Sequence, residues 1–172
     1  MNRPTDDAEA SWPVDFRHMT IRQSPSPDLV ALIHTGAGVG VRSLSDLAPG
    51  AIVLRFEGAI VPWASVPDAE VRYVMMDASG DWVIPNAPAR FINHSCEPNL
   101  RFTASRAVET TRPVKAGDEL TIAYDLLEPF DIERRARHPE WYFWDDRWSF
   151  DCLCGSASCR RRIDQYVHQA DG

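Results

Sequence analysis

Lysine is almost absent from this sequence, and long apolar runs are absent altogether. Of the 18 lysine and arginine residues only Lys115 is a lysine, a bias typical of a GC-rich genome. No segment has the roughly 18 consecutive apolar residues of a membrane-spanning helix, and residues 1–13 lack the apolar core of a secretory signal. We therefore expect a cytoplasmic protein with no membrane partner.

Basic residues are also fewer than acidic ones. The chain has 25 acidic residues against 18 basic ones, which gives a formal net charge of −7 at pH 7. Because a protein neutralises phosphates with a basic surface when it binds nucleic acid, this composition argues against a direct nucleic-acid partner. An acidic surface is compatible with a basic peptide as partner.

Cysteine is scarce, with 4 copies in the chain. Cys152, Cys154 and Cys159 form a Cys-x-Cys-x4-Cys motif, whereas Cys96 lies far upstream. Cytoplasmic thiols stay reduced, and tetrahedral zinc takes four sulfur or nitrogen ligands. We therefore interpret the motif as a zinc site, with Cys96 as the only cysteine left for the fourth position. Two disulfides or free thiols are the alternatives.

The 172 residues suffice for one domain with a substantial core. Residues 1–13 are polar, acidic and contain proline, which predicts a flexible tail. Beyond them, short apolar bursts alternate with Gly, Pro and Ser turns, a pattern typical of a mainly β domain with short strands. The predicted strands span residues 19–22, 29–34, 51–56, 73–77, 82–84, 100–104, 106–110 and 118–125.

The most unusual stretch is Arg-Phe-Ile-Asn-His-Ser-Cys-Glu-Pro-Asn at residues 90–99. Asn, His and Ser side chains can satisfy backbone groups in place of a regular ladder, so we expect an irregular loop at a functional site. The stretch resembles the signature of the SET-domain methyltransferases. Two further segments are similar to that family: Gly38-Val39-Gly40, and Glu-Leu-Thr-Ile-Ala-Tyr at residues 119–124. With the cysteine motif, the resemblance covers roughly residues 29–160.

The resemblance implies a SET-domain β-clip, in which small antiparallel sheets and short helices accompany a pseudo-knot near residues 90–125. It implies methyl transfer from S-adenosylmethionine (SAM) to a lysine ε-amine of a protein or peptide. In members with a C-terminal zinc-bound post-SET segment, the cysteine at the position of Cys96 is the fourth zinc ligand. The implied divisions are a SET domain over 14–125, an aromatic-rich helical connector over 126–150, the post-SET zinc segment over 151–163 and a C-terminal tail over 164–172.

The resemblance also implies roles for individual residues. Tyr124 would be the active-site tyrosine beside the transferred methyl group, with Tyr73 as a second and more loosely aligned one. Asn93 would bind the amino group of SAM, while the main chain of His94 and the side chain of Leu153 would contact its adenine. The full set implied to bind SAM is Gly38, Val39, Gly40, Arg90, Phe91, Asn93, His94, Tyr124 and Leu153. Taken without the family, His94 could simply hold its loop in place, and Tyr124 could be a buried strand tyrosine.

Three residues depart from the family pattern. Ala59 replaces a common acid, Ile122 a common aromatic residue and Ala123 a common aspartate. Because the position of Ile122 helps to set how many methyl groups fit, the number of methyl groups transferred stays open. The departures favour a non-catalytic binding module as one alternative. A short family-variable insert over 62–88 favours a SET enzyme that acts on a small molecule as the other.

The segment over 126–150 is rich in aromatic residues. A helix is predicted over 130–137, since it would end just before His138-Pro139. The aromatic cluster that follows could be a satellite core that pins the tail, a wall that attracts a methylammonium product, or a dimer contact. Its members are Trp141, Tyr142, Phe143, Trp144, Trp148 and Phe150.

Overall fold

The structure is a computed structural model that describes residues 28–76, 82–103, 106–124, 136, 142–144, 147, 149–163 and 166–168. The tail predicted over 1–13 and the strand predicted over 19–22 lie outside the described residues. The helix predicted over 130–137 also lies outside them, apart from Ala136.

Short strands dominate the described part of the chain, as the alternation of apolar bursts and turn residues predicts. Each predicted strand that falls within it is confirmed, with ends shifted along the chain. One-turn 3-10 helices span Trp63–Ser65, Val71–Tyr73 and Ala89–Phe91. The strands are β1 (Val30–Thr35), β2 (Gly38–Ser43), β3 (Ile52–Arg55), β4 (Gly58–Val61), β5 (Met75–Met76), β6 (Trp82–Pro85), β7 (Asn93–His94), β8 (Leu100–Phe102), β9 (Ala107–Thr110), β10 (Glu119–Ile122), β11 (Tyr142–Trp144), β12 (Phe150–Asp151), β13 (Arg162–Ile163) and β14 (Tyr166–His168).

The largest described sheet has the strand order β1-β2-β10-β7. Its first two strands form a hairpin in which Thr35 pairs with Gly38, so that Gly36 and Ala37 are the turn. Gly38 has a φ of 110°, a left-handed conformation that glycine adopts without the steric penalty of a Cβ. The glycine-rich segment is therefore a hairpin turn that continues into β2.

The last pairing of this sheet is parallel. Thr121 pairs with Asn93 and Ile122 pairs with His94, so the two most specific sequence motifs lie side by side. A parallel pair needs a long crossover connection, and here the connection contains β8 and β9. This pairing lies inside residues 90–125, where the resemblance implies a pseudo-knot.

The other described sheets are small and antiparallel. Two have three strands, in the orders β3-β9-β8 and β4-β6-β5, and two are single pairs, β11-β14 and β12-β13. Strands β5 and β6, which lie in the segments predicted as strands over 73–77 and 82–84, pair with each other. The predicted fold class, mainly β with small antiparallel sheets and short helices, is confirmed.

Alternating burial within the strands builds the main core. In β10, Leu120 and Ile122 are buried whereas Glu119 and Thr121 are half-buried, as expected for a strand with one face on the core. The fully buried large side chains of this core include Val41, Val53, Leu54, Ile92, Leu100, Val108, Val114 and Leu120. A second, smaller cluster comprises Trp63, Val66, Val71, Val74 and Trp82. The main core thus lies directly beneath the parallel β7–β10 pair.

The sequence predicts neither strand of the β11–β14 pair. Tyr142–Trp144 belongs to the segment interpreted as a helical connector, and Tyr166–His168 belongs to the segment interpreted as a tail. Their pairing joins the two segments that flank the cysteine motif. Among the residues that the structure describes, no helix has the length and apolar character needed to cross a membrane.

Candidate functional site

Asn93 lies where β7 meets β10, and its amide group is fixed in direction. Asn93 Nδ2 donates to Glu119 Oε1 at 2.9 Å and to Thr35 Oγ1 at 3.3 Å. Thr35 ends β1 and Glu119 begins β10, so the cluster joins elements that are distant in sequence. Because both amide hydrogens are used, the oxygen Oδ1 is the atom that Asn93 can offer to a ligand.

Gly40 lies against the same cluster, and the space beside it is already filled. A Cβ there would lie 2.7 Å from Thr35 Cγ2, 2.8 Å from Glu119 Oε1 and 2.9 Å from Asn93 Nδ2. Protein interiors leave no room for contacts this short. A side chain larger than glycine at this position would therefore displace the side chains packed around the amide of Asn93.

We expect Gly40→Ala to lower the free energy of unfolding by about 1–3 kcal/mol, because the added methyl overpacks the Asn93 cluster. Denaturant titration followed by circular dichroism measures the change. Gly36→Ala is the matched control, since a Cβ at Gly36 meets no atom within 4 Å; it should change stability by less than about 0.5 kcal/mol. Equal stabilities for the two variants would contradict the packing argument.

His94 is buried, and its ring uses both nitrogens. Nδ1 accepts a hydrogen bond from the Tyr124 N–H at 3.1 Å, and Nε2 lies 3.3 Å from Cys96 Sγ. A neutral ring whose Nδ1 accepts carries its proton on Nε2, which then points at the sulfur. The side chain of His94 thus connects Cys96 with the backbone of Tyr124. The main-chain contact of His94 with adenine stays a prediction.

Tyr124 lies two residues after the end of β10 and donates its hydroxyl hydrogen to the Ile92 carbonyl at 2.5 Å. Its ring meets that of Phe150 edge to face, with centroids 6.3 Å apart. Burial, aided by the neighbouring Tyr73 and Glu119, raises the pKa of the Tyr124 phenol far above its ordinary value. The phenol is therefore neutral at physiological pH.

Arg90 connects Tyr73 with Phe91. Its guanidinium carbon lies 4.4 Å from the ring centroid of Tyr73 and 5.6 Å from that of Phe91, and the two rings meet nearly at right angles, 6.1 Å apart. Arg90 also donates to Glu70 Oε2 at 2.6 Å. Within the described part of the chain, the buried Nε of Arg90 has no hydrogen-bond partner. Because an unpaired buried donor is costly, this N–H is suited to an acceptor on a ligand.

The cysteines come together although 56 residues separate Cys96 from Cys152. The Sγ atoms of Cys96, Cys152, Cys154 and Cys159 all lie within 4.8 Å of one another, and those of Cys96 and Cys152 are 3.8 Å apart. Four sulfurs bound to one tetrahedral zinc ion at about 2.3 Å would be about 3.8 Å apart. The cluster therefore fits a structural zinc ion. No disulfide joins the four cysteines.

Backbone groups surround the sulfur atoms as in a thiolate metal site. The N–H of Arg160 donates to Cys96 Sγ, and the N–H of Arg161 donates to Cys159 Sγ, each at 3.4 Å. Burial raises the pKa of the Cys152 thiol, and a bound metal ion would replace its proton. The donor set thus favours metal-bound thiolates over free thiols.

The other residues implied by the resemblance lie in different surroundings. Val39 is half-buried and packs against the main core, while Leu153, between two of the cysteines, is 70% exposed. Ile122, at the position associated with the number of methyl groups, is buried in the main core. The structure thus brings Gly40, Asn93, His94 and Tyr124 into one site, with Leu153 on the adjoining cysteine segment.

Several residues of the site escaped the sequence analysis. Thr35 and Glu119 orient Asn93, and Glu97 Oε1 accepts from Ser158 Oγ at 2.6 Å across the cysteine site. Glu119 stands inside a recognised motif, which is a signal that could have identified it. Thr35 carries no such signal, because its role depends on a strand pairing that the sequence does not specify.

Comparison with known families adds the deciding observation. The model of the SET domain matches residues 38–125, just over half of the chain. The chain belongs to the SET-domain family. The match includes Gly40, Asn93, His94 and Tyr124, which form the site above. The cysteine motif at 152–159 lies beyond its end.

Curated relatives contain the SET-domain segment within longer proteins. The histone-lysine N-methyltransferase EHMT1 of Homo sapiens is 33% identical over 146 residues, which cover 72% of this chain and 10% of EHMT1. The histone-lysine N-methyltransferase SUV39H1 of Xenopus laevis is 25% identical over 162 residues, which cover 74% of this chain and 38% of SUV39H1. The chain thus spans well under half of either relative.

A solved structure shares the SET-domain fold. The crystal structure of KRYPTONITE in complex with mCHG DNA and SAH superposes with a TM-score of 0.56 at 23% identity. The superposition covers 77% of this chain and 28% of that one. At this level of identity the likeness concerns the fold alone, and it agrees with the β-clip that the resemblance implies.

Proposed function

We propose that this SET-domain chain is a methyltransferase that moves a methyl group from SAM to the ε-amine of a lysine in a protein or peptide. The observation that carries the proposal is the arrangement of Gly40, Asn93 and His94 in one site with Tyr124, whose ring lies 5.4 Å from that of His94. The relatives EHMT1 and SUV39H1 are histone-lysine N-methyltransferases by name. KRYPTONITE has been crystallised with SAH, and also with SAH and an H3(1–15) peptide.

The residues present fit SAM, which supplies an activated methyl group on a sulfonium. Asn93 Oδ1 can accept from an amino group, because its amide nitrogen is already held by Glu119 and Thr35. The unpaired Nε of Arg90 can donate to an acceptor such as a carboxylate or hydroxyl oxygen. Leu153 is an exposed apolar side chain that can cover the face of an adenine. Each group thus has a chemical complement on SAM.

Methyl transfer to an amine depends on in-line positioning and on a neutral amine more than on acid–base groups. A lysine amine has a reference pKa of about 10.4, so it must lose a proton before it attacks. Tyr124 gives its hydroxyl hydrogen to Ile92, so the phenol oxygen acts as an acceptor that can orient the amine. Its raised pKa keeps it from becoming an anion, which would stabilise the protonated amine. Tyr124 is therefore suited to hold a neutral amine.

We also propose that residues 151–163 act as a post-SET segment that zinc joins to Cys96. Within this segment β12 and β13 have two residues each, too few for a separate core. Metal binding would therefore supply its folding energy. A reducing compartment such as the cytoplasm keeps cysteine thiols available for zinc.

The substrate that we propose is a basic peptide segment. The net charge of −7 favours encounter with a positively charged chain, and a lysine-bearing basic tail has this character. The same charge disfavours direct contact with nucleic acid. The number of subunits is left to measurement, with a dimer through the aromatic segment as one outcome.

Incubation of the purified protein with methyl-labelled SAM and cell lysate tests the proposal. We expect label in precipitated protein that is stable to base and recovered as methyl-lysine. Self-methylation should add little, because the only lysine, Lys115, donates to Asp46 Oδ2 at 2.7 Å, which raises its pKa and keeps it protonated. Label only in the small-molecule fraction would indicate a small-molecule substrate. No label and no SAM binding would indicate a non-catalytic module.

A further inference from the structure

Glu70 forms hydrogen bonds with both Tyr73 and Arg90. Its Oε2 accepts from an Arg90 nitrogen at 2.6 Å, across 20 residues of sequence. The side chain of Arg90 is 20% exposed and that of Glu70 is 29% exposed. Because solvent screens a partly covered pair less than an exposed one, this pair can fix the position of the guanidinium.

Glu70 holds Tyr73 by two routes. Its carbonyl accepts from the Tyr73 N–H at 2.8 Å, which closes the 3-10 turn. Its carboxylate fixes the guanidinium of Arg90 over the Tyr73 ring, where a cation is attracted to the face of an aromatic ring. Tyr73 lies outside the described strands, so contacts of this kind, rather than a ladder of backbone hydrogen bonds, set the position of its ring.

The Tyr73 ring is close to the reaction site proposed above. The rings of Tyr73 and Phe91 have centroids 6.1 Å apart, and Phe91 directly precedes Ile92, whose carbonyl accepts from the Tyr124 hydroxyl. The side chains of Tyr73 and Tyr124 both pack against the main core. A shift of the Tyr73 ring would therefore alter the packing beside Tyr124.

We propose that Glu70 is a positioning residue for methyl transfer, which orients Arg90 and, through Arg90, the ring of Tyr73 at the edge of the reaction site. The expected effect of Glu70 on kcat rests on the proposed function, whereas its positioning of Arg90 and Tyr73 does not. A displacement of about 1 Å at a reaction site can cost about 100-fold in rate, so a partial loss of this support should be measurable.

Glu70→Gln is the first test, because it keeps the shape and an acceptor oxygen but removes the charge. We expect kcat for a lysine peptide to fall about tenfold, with the peptide KM within about twofold of wild type. Glu109→Gln is the control: it removes the charge from another ion pair, Arg101–Glu109 at 2.5 Å, whose arginine is more exposed, and it should leave kcat unchanged. An unchanged kcat for Glu70→Gln, or a fall in kcat matched by an equal rise in the peptide KM, would overturn the proposal.

A double-mutant cycle tests the route through Arg90. If Glu70 acts by orienting the guanidinium, Glu70→Gln should cause no further loss of kcat in an Arg90→Gln background. If the double variant instead loses the product of the two separate losses in kcat, Glu70 acts independently of Arg90, and the proposed route through Arg90 is wrong.

The ring position can be measured without catalysis. In protein labelled with 3-fluorotyrosine, the fluorine resonance of Tyr73 is assigned by its loss in Tyr73→Phe. We expect Glu70→Gln to shift this resonance and Glu109→Gln to leave it in place; no shift in Glu70→Gln would overturn the proposal. If the wild-type protein transfers no methyl group, the proposed function fails, and this resonance still decides whether Glu70 orients Tyr73.

Discussion

Tyr124→Phe is expected to lower the rate of methyl transfer by about 100-fold or more while the Kd for SAM stays within about threefold of wild type. The change removes the only polar atom of the ring, and with it the acceptor proposed to orient the amine. The ring itself keeps its packing against Phe150. A variant that binds the methyl donor but fails to use it would place Tyr124 at the transfer step.

The same substitution should also reduce stability. Without the hydroxyl, the Ile92 carbonyl loses the partner that it has at 2.5 Å, and a buried acceptor left unpaired costs about 1–3 kcal/mol. Single-turnover kinetics, calorimetry with SAM and denaturant titration together separate the kinetic effect from this structural one.

Thr110→Val is the matched control for the lost hydroxyl. Thr110 is 2% exposed, and its Oγ1 donates to the Ala48 carbonyl at 2.6 Å and accepts from the Ala51 N–H at 3.0 Å, in the segment that leads into β3. It should lose a similar amount of stability and keep its transfer rate. If Thr110→Val slowed transfer as much as Tyr124→Phe does, the role of Tyr124 would be structural only.

Cys96→Ser is expected to remove zinc and to abolish SAM binding while the central sheets persist. Zinc bound to four thiolates supplies on the order of 10 kcal/mol of folding free energy in small zinc-bound units, and residues 151–163 have little else to hold them. The strands before the cysteine motif draw their stability from the main core and from the smaller cluster around Trp63 and Trp82, and neither contains any of the four cysteines. Metal analysis, circular dichroism and calorimetry with SAM measure the three consequences, and a strong chelator should reproduce them in wild-type protein.

Ser158→Ala is the control for the zinc prediction. It removes the hydroxyl that donates to Glu97 at 2.6 Å, a contact between the same two segments that does not involve a sulfur atom. Because this contact is exposed, its loss should cost less than about 1 kcal/mol, and zinc and SAM should still bind. A Cys96→Ser protein with one zinc per chain and wild-type affinity for SAM would rule out the zinc assignment.

The sequence predicts the strands because local patterns encode them. Short apolar bursts between turn residues identify β1, β3, β6 and β9 directly. The site motif likewise identifies Asn93, His94 and Tyr124. In each case the information lies within about ten consecutive residues.

Long-range pairings carry no comparable signal. Thr35 meets Asn93 across 58 residues and Glu70 meets Arg90 across 20, and in neither case does the local pattern specify the partner. Strands β11 and β14 have three residues each, too few for alternation to reveal a strand. The cysteine cluster is the exception, because the small number of cysteines limits the combinations.

The distances along the chain between partners have a consequence for biosynthesis. His94 meets the Tyr124 backbone across 30 residues, and Cys96 meets Cys152 across 56. During translation the hairpin of β1 and β2 can therefore form while most of the chain is still unmade, whereas the Asn93 cluster must wait for β10. The cysteine site must wait longer still, until Cys159 has left the ribosome. Because contacts between distant residues form slowly, we expect the central sheet and the Asn93 cluster to form together when β10 is made, and the cysteine site to form after them.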